Sequence, residues 1–578
     1  MAHMLLRLAN ASGHPAFSTG QPDRGWTCAI ARPSHTSSFP VGSQMVAGER
    51  SHAVPATRAI AAVLDRLPSL PVRDPTPMTQ EQQRAANVLL RSSLSDGLRR
   101  ADELARLFAR HGHELALVGG PVRDAFLARP HSDLDLATDA LPERVLEITR
   151  DWADTTWPVG IRFGTVGLRK GQLRFEVTTY RSERYDKASR KPDVQYGTSL
   201  VADLARRDFT VNAMAARLPS HEIVDPFGGL RDLRDMRLRT PGRAEDSFDD
   251  DPLRILRAAR FVADLGLTPT QDVREAMARL APRLEIVSAE RKAVELEKLL
   301  LARRPGGPSA GIDLLVRTGV ADVFLPEVPR LRLEVDEHHR HKDVYRHSLT
   351  VLDQAIALEE RYELEPDLRL RLAALLHDIG KPKTRELLPD GRVAFHHHDI
   401  VGAKLARSRL KQLRLPNDVT QDVAKLIGLH LRFHGFSTGQ WTDSAVRRYV
   451  TDAGPLLPRL HALTRADCTT RNKAKAERLA RSYDALEQRI AELGKEEELA
   501  KIRPDLDGNE IMALLGIKPG PLVGRAYAYL LELRLDHGPL GHDRAVQELL
   551  RWARDSGLPT GQSAAGEPPE GSGPAGRD

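Results

Sequence analysis

The sequence predicts an α+β protein, with a small mixed sheet early in the chain and helices through the rest. Short apolar or alternating runs at 115–118, 132–137, 164–168 and 173–179 read as strands, whereas the periodic segments from 241 onward have helical spacing. Aromatic residues make up only 5% of the chain, and Arg, Leu and Ala dominate it, a composition that favours helix. With 578 residues the chain is long enough for several domains and a sizeable core.

Composition narrows the class of protein. Lys and Arg number 85 against 79 Asp and Glu, a net charge of +6, which tolerates a nucleic-acid partner without requiring one. The two cysteines, Cys28 and Cys468, are far apart, which argues against a disulfide scaffold or a Cys-based zinc site. No apolar run approaches the roughly 20 residues needed to span a bilayer. The first residues show no apolar core with a cleavage site, so no secretion signal is read. A cytoplasmic protein with no membrane partner is expected, and no protein partner is readable.

Residues 1–80 are rich in Ser, Pro, Gly, Thr and His without periodicity, and are expected to be disordered, with Met45 or Met78 as candidate true starts. Two helical patterns run from Gln80 to Arg110. The stretch LVGGPVRDAFLARPHSDLDLATD, 117–139, follows. Leu115 to Val118 form a buried strand that Gly119 and Gly120 end, opening a helix from Val122 to Leu127. A Gly-Gly turn at a helix start offers unpaired N–H groups and a positive dipole end, a place for phosphate. Arg123 sits one turn in to hold it. Asp133 and Asp135 lie two apart on the next strand, on one face and roughly 7 Å from each other. Two carboxylates beside a phosphate cradle suit paired divalent ions that clamp the attacking and leaving oxygens of a phosphoryl displacement.

GGPVRD followed by SDLDLAT resembles the nucleotidyltransferase signature of the bacterial-type (class II) CCA-adding enzyme and poly(A) polymerase family. The resemblance implies a polymerase-beta-like nucleotidyltransferase head with Mg²⁺ on Asp133 and Asp135. A helix is expected at Pro142–Trp152, then strands at 164–168 and 173–179. Glu176, which alternates with apolar neighbours, becomes a third catalytic carboxylate by this resemblance. Residues 180–197, polar and without periodicity, look like the family's mobile loop. LARRDFTVNAMA, 204–215, matches its second motif: Arg206 and Arg207 suit triphosphate or ribose contacts, and Asp208 and Asn212 share a face if the stretch is helical. DPFGGLRDLRDMRLRT, 225–240, resembles the structural connector between head and neck.

In FDDDPLRILRAARF, 248–261, Asp251, Arg254, Arg257 and Arg260 recur at spacings of three, near one face of a helix whose remaining surface is apolar. The family uses this motif as a protein template for the incoming base. Asp251 would accept from the exocyclic amine of cytosine or adenine, and Arg254 would donate to the neighbouring ring nitrogen. Uracil and guanine put a carbonyl where the amine should be, leaving Asp251 unpaired, which is an effective rejection. Arg257 and Arg260 would reach the triphosphate or keep the pair rigid. The first acidic position is Asp250, where the family often has Glu. SAERKAVELEKLLLA, 288–302, is amphipathic and fits the neck.

A second constellation comprises His347, His377, Asp378, His398, His430 and Asp467, each near a helix. Its order looks like the HD family of metal-dependent phosphohydrolases, and imidazole with carboxylate suits a second divalent metal. From 471 the chain is basic and helical, and 506–535 resembles a tRNA-contacting tail, with Gly516, Pro519, Gly520 and Gly524 turning into a helix N-terminus. The expected division is 1–80 disordered, 81–240 head, 241–335 neck and body for base selection and RNA binding, 336–475 HD, 476–555 tail and 556–578 disordered. The implied reaction transfers CMP, CMP and AMP from CTP and ATP to the tRNA 3′ end with release of pyrophosphate. Poly(A) polymerases and enzymes adding only A or only CC share these motifs. An RNA-end phosphohydrolase acting through the HD region is a further reading.

Overall fold

The computed structural model describes residues 78–558, apart from 130–132, 161–163, 185–192, 334–342, 390–392, 437–441, 469–471 and 498–501. The disorder expected at the two ends, residues 1–77 and 559–578, and Cys28 lie outside the described residues. The chain opens with the helix Gln80–Arg110, where Thr79 and Gln82 close a reciprocal capping box and a kink at Ser95 (φ 27°) separates the two helical patterns.

Seven strands form one sheet: β1 (Leu115–Val118), β2 (Asp133–Thr138), β3 (Thr155–Gly160), β4 (Thr165–Lys170), β5 (Leu173–Thr179), then β8 (Ala215–Leu218) and β9 (Glu222–Val224). Their spatial order is β3-β4-β5-β2-β1-β8-β9, and only β2 and β5 pair in parallel. Between them, β6 (Arg181–Arg184) and β7 (Asp193–Tyr196) make a separate two-stranded hairpin. The segment expected to be a mobile loop is therefore paired at both ends, and its tip, 185–192, lies outside the described residues.

Strand alternation sorts the sheet's two faces. Leu115, Leu117, Leu134, Leu136, Val166, Leu168, Phe175 and Val177 point to one side and pack with Leu104 and Phe108 of the first helix. Each such side chain contributes roughly 1.5–3 kcal/mol by leaving water. The opposite face is apolar only at one end. There Tyr180 with Leu200 and Leu204 of the helix Leu200–Ala205 covers Ala116, Val118, Ala137 and Ala215. Among the described residues, the rest of that face, with Asp133, Asp135 and Glu176, stays open.

Four local expectations are corrected. The helix from Pro142 ends at Thr149 rather than Trp152, and a turn over 150–154 leads into β3. Residues 204–215 are not one helix: the helix stops at Ala205, and a 3₁₀ turn, Thr210–Asn212, leads into β8. Nor is 248–261 continuous. The helix Ala244–Asp250 ends, Asp251 is extended (φ −135°, ψ 96°), and a new helix, Leu253–Leu265, begins after Pro252. Proline fixes φ and cannot donate, so it fits a helix start and not an interior. Finally, β8 and β9 fall where no strand was read.

Beyond residue 243 the described chain is almost wholly helical. The helices Leu253–Leu265, Ala289–Leu300, Gly307–Arg317, Val344–Leu358 and Leu368–Leu376 continue the core that begins under the sheet. Aspartates start the last two: Asp343 accepts from the Tyr345 N–H at 3.0 Å, and Asp367 from the Leu370 N–H at 2.8 Å. Arg371, 2% exposed, forks onto Glu359 and donates to the carbonyls of Leu300 and Ala302, which ties the helix Leu368–Leu376 to the end of Ala289–Leu300. The helices Gly508–Leu515, Pro521–His537 and His542–Asp555 enclose a small core of their own. No helix of the described residues is long and apolar enough to cross a membrane.

Candidate functional site

Asp133 and Asp135 project from the open face of β2, and Asp135 pairs in register with Glu176 on β5. Glu176 is solvent-exposed, yet partial desolvation, and then the Asp135 and Asp133 carboxylates, raise its carboxyl above the usual value. Three acidic groups are thus brought together, and their mutual repulsion favours a cation among them.

At the end of β1, Gly119 takes φ +71°, which a side chain would strain. A Cβ there would also lie 2.9 Å from Nη1 of Arg207, so the glycine lets that guanidinium lie over the turn. Asp203 receives Arg207 Nη2 at 3.1 Å. The Gly-Gly turn is less free than its sequence implies. The Gly119 N–H already donates to the Met214 carbonyl at 3.1 Å, and Pro121 has no N–H. Arg123 is buried, forks onto Asp124 at 2.9 Å and donates to Asn212 Oδ1 at 2.6 Å. Its geometry makes it a brace between the turn and the 210–212 segment, whereas a direct grip on phosphate was expected.

Asp208 joins the sheet to the helix Leu253–Leu265. Its Oδ2 accepts from Arg257 Nε at 2.8 Å and from Arg257 Nη2, and its Oδ1 accepts from the Phe209 N–H at 2.8 Å and Asn212 Nδ2 at 3.0 Å. Burial would raise this carboxyl, but the Arg257 charge and the Asn212 bond hold it well below the usual range. Asp208 and Asn212 therefore meet as expected, though not on one helix.

Arg257 and Arg260 both face Glu295, at 3.9 Å and 2.7 Å, and Arg260 lies over the Phe261 ring at 4.5 Å. The side chains of Asp251 and Arg254 turn to other partners, although the Arg254 N–H donates to the Asp251 carbonyl at 2.9 Å. The Leu253 N–H donates to Asp251 Oδ1 at 3.2 Å, and Arg291 reaches the same carboxylate at 3.3 Å. Arg254 Nη1 donates to Ser247 Oγ at 2.8 Å, and its Nη2 to the Arg206 carbonyl.

The second cluster lies among the helices Val344–Leu358, Leu368–Leu376, His398–Gln412, Asn417–Leu429 and Leu457–Asp467. Its ligand atoms form two triads, His347–His377–Asp467 and Asp378–His398–His430, each with its atoms within 4.8 Å of one another. His377, His398 and His430 each place Nδ1 on a backbone carbonyl, of Ala374, Phe395 and Ile427 at 2.9, 2.8 and 2.6 Å, which aims Nε2 inward. Burial opposes charge on His377, yet Asp378 and Asp467 push its pKa up to about 10, while burial and His377 take His430 down to about 3. A proton on His377 thus meets the demand for positive charge that a divalent ion would meet. Lys381, 9% exposed, sits 2.9 Å from Asp378.

Residues 115–239 match the family model described as the poly A polymerase head domain, 266–331 the "Probable RNA and SrmB- binding site of polymerase A", and 344–472 the HD domain. A CCA-adding enzyme of Anoxybacillus flavithermus is 33% identical over 431 residues, 74% of this chain and 90% of that protein. The chain belongs to the bacterial-type CCA-adding enzyme and poly(A) polymerase family. Within this family it is also 34% identical to an A-adding tRNA nucleotidyltransferase of Deinococcus radiodurans, over 76% of this chain and 96% of that one. The CC-adding tRNA nucleotidyltransferase of Thermus thermophilus is likewise 34% identical, over 76% and 95%. The crystal structure of the Bacillus stearothermophilus CCA-adding enzyme in complex with CTP superposes with a TM-score of 0.54 at 27% identity, covering 80% of this chain and 98% of that chain.

Sequence reasoning missed several members of these sites. Asp203, Glu295, Arg291 and Lys381 each complete a cluster. Asp203 meets Arg207 four residues on and Lys381 meets Asp378 three residues back, local spacings the sequence does show, whereas the partners of Glu295 and Arg291 lie on other elements. A glutamate at the buried position of an amphipathic helix is the one signal that could have singled out Glu295, because a buried carboxylate needs a cation. For Arg291 no sequence signal existed.

Proposed function

We propose that the protein is a tRNA nucleotidyltransferase that adds C, C and A to the tRNA 3′ end without a nucleic-acid template, transferring CMP and AMP from CTP and ATP and releasing pyrophosphate. The observation that carries this reading is the Asp208–Arg257 fork, which ties a sheet bearing three carboxylates to the helix bearing Arg254. In this reading residues 81–240 are the catalytic head, 241–335 select the base and bind RNA, 336–475 form the HD domain and 476–555 contact tRNA.

Asp133 and Asp135 would hold two Mg²⁺ ions with Glu176 as the third carboxylate, and the crowding that raises Glu176 fits a divalent cation among them. When bound there, Mg²⁺ would supply charge neutralisation of the triphosphate and acidification of the 3′-hydroxyl. Arg207, lying over the turn at Gly119 and Gly120, is the cation suited to the triphosphate, while Arg123 keeps the turn and Asn212 in place. Asp251 accepts from the amine of cytosine or adenine after exchanging Arg291, and Arg254 donates to the ring nitrogen. Arg257 and Arg260, braced by Asp208 and Glu295, keep that helix in position, so catalysis is mostly positioning and charge stabilisation. The HD cluster of His347, His377, Asp378, His398, His430 and Asp467 would hold a second divalent metal and act as a phosphohydrolase centre. The work is that of a cytoplasmic enzyme.

An A-adding and a CC-adding tRNA nucleotidyltransferase, each 34% identical, match as much of this chain as the 33%-identical CCA-adding enzyme does, so partial addition is the second reading. Base selection tests the template. With tRNA lacking its CCA end, pyrophosphate release is expected with CTP, and with ATP once CC is present, but not with UTP or GTP. Asp251→Ala should admit UTP. Selectivity that survives both Asp251→Ala and Arg254→Ala would contradict the reading.

A further inference from the structure

One aromatic side chain near the carboxylates has no part in the reaction as described. Trp157 on β3 pairs with Gly167 on β4, Gly167 pairs with Glu176 on β5, and Glu176 pairs with Asp135 on β2. Paired residues share a face, so the four form a row across the open side of the sheet, with strands about 4.8 Å apart. Along this row the indole reaches toward the carboxylates. A Cβ on Gly167 would lie 2.1 Å from Trp157 Nε1 and 2.2 Å from Cε2, so the ring lies over the glycine, and a residue with any side chain there would displace it. Trp157 is half-buried, and the pairing of β3 with β4 shifts register just after it, a device that re-aims a strand beside a site.

The surroundings of the indole are cationic. On the same face, Arg169 and Arg174 are exposed, and Arg181 Nη2 donates to Thr165 Oγ1 at 3.3 Å, two residues along β4 from Gly167. Tyr196 lies over Gly164 beside Arg181. Aromatic faces set among arginines are how single-stranded nucleic acid is gripped, by stacking and by backbone charge.

The side of the carboxylates on which Trp157 lies decides which nucleotide it meets. Gly119, Arg207, Asp208 and Arg257 lie toward β1 and β8, where the proposed function puts the incoming nucleotide. An in-line displacement brings the attacking hydroxyl from the side opposite the leaving pyrophosphate. Trp157 is on that opposite side. We infer that Trp157 is the stacking platform for the 3′-terminal base of the acceptor RNA, laying that nucleotide along the row so that its 3′-hydroxyl reaches Asp133 and Asp135. The inference rests on the nucleotidyl-transfer reading and makes Trp157 a positioning residue for the acceptor.

The test uses full-length wild type, Trp157→Leu and Trp157→Phe with tRNA ending in CC. Leucine keeps apolar bulk over Gly167 but has no flat π-face, whereas phenylalanine keeps both. Trp157→Leu is expected to raise KM for the tRNA on the order of tenfold while KM for ATP stays unchanged, and Trp157→Phe to restore it. Binding tRNA without ATP should quench wild-type tryptophan fluorescence, and the quench should be lost in Trp157→Phe. Equal losses in both variants would mark a packing role, a raised KM for ATP would put the incoming base on the indole, and an unchanged KM for tRNA would leave it no role; each overturns the proposal. A wild type that transfers nothing would defeat the nucleotidyl-transfer reading alone, and the quench would still report whether the RNA end meets Trp157.

Discussion

Replacing Asp208 with alanine should damage the enzyme well beyond the loss of one surface charge. Asp208 is 7% exposed and accepts four hydrogen bonds, two from Arg257 and one each from the Phe209 N–H and Asn212. Removing one member of a buried ion pair costs about 3–5 kcal/mol because the other charge is left behind. Arg257 is only half-buried and keeps Glu295 at 3.9 Å, so the lower end of that range applies, about 3 kcal/mol. Part of the loss will appear as thermal stability and part as misplacement of the helix Leu253–Leu265. Even a 1 Å shift there can cost about a hundredfold in rate. The assay is kcat/KM for CTP and for ATP, with the unfolding midpoint recorded beside it. The expected result is a loss on the order of a hundredfold with both nucleotides and a lowered midpoint. The pH dependence has a definite sign. Asp208 is depressed in the folded state, so its contribution is present above the unfolded value of about 3.9 and is lost as pH falls below it. The midpoint difference between wild type and Asp208→Asn should therefore hold above about pH 4 and shrink as the pH falls below it. A variant within about threefold of wild-type kcat/KM, a change of under 1 kcal/mol in transition-state stabilisation, would refute the reasoning.

Other perturbations have equally definite outcomes. Gly119→Ala combines a left-handed backbone with a Cβ 2.9 Å from Arg207, so KM for both nucleotides should rise about tenfold, and an unchanged KM would remove Arg207 from the triphosphate. Arg371→Met leaves Glu359 buried without its fork and should lower the unfolding midpoint strongly, the buried-pair cost again being about 3–5 kcal/mol; calorimetry of the full chain checks it. In the HD cluster, metal content measured after dialysis against Mn²⁺, Co²⁺ or Zn²⁺ should show bound ion in wild type and little in His377→Ala. Equal content in both would mean that the two triads do not hold metal.

The parts of the sequence that were most legible are those where local pattern and tertiary environment agree. The strand 173–179 was read to the residue because its apolar positions alternate and face one large core. The run 115–118 is short but wholly buried, and Gly119 marks its end. Strands β8 and β9 have no comparable signal: Arg217 and Glu222 interrupt them, and their pairing with β1 supplies what their composition lacks. Asp251 illustrates a different limit. The spacing of Asp251, Arg254, Arg257 and Arg260 suggested one helical face, but Pro252 starts a new helix, so Asp251 stands outside it and meets Arg291. Arg123 shows that residue type gives chemistry without giving its partner, since Asp124 and Asn212 claim the guanidinium expected to face phosphate. The six HD residues come together in two triads because His347 sits in the first turn of its helix and the other five fall at or next to helix ends, so the fold needs only to bring those segments together.

CCA addition is tested most directly with three tRNA transcripts, ending before CCA, after C and after CC. Each is incubated with the full chain, Mg²⁺, CTP and ATP, and the product ends are sequenced. All three are expected to finish as CCA and extend no further. Addition of AMP to the CC-ended transcript alone, or growth of long A tails, would contradict it.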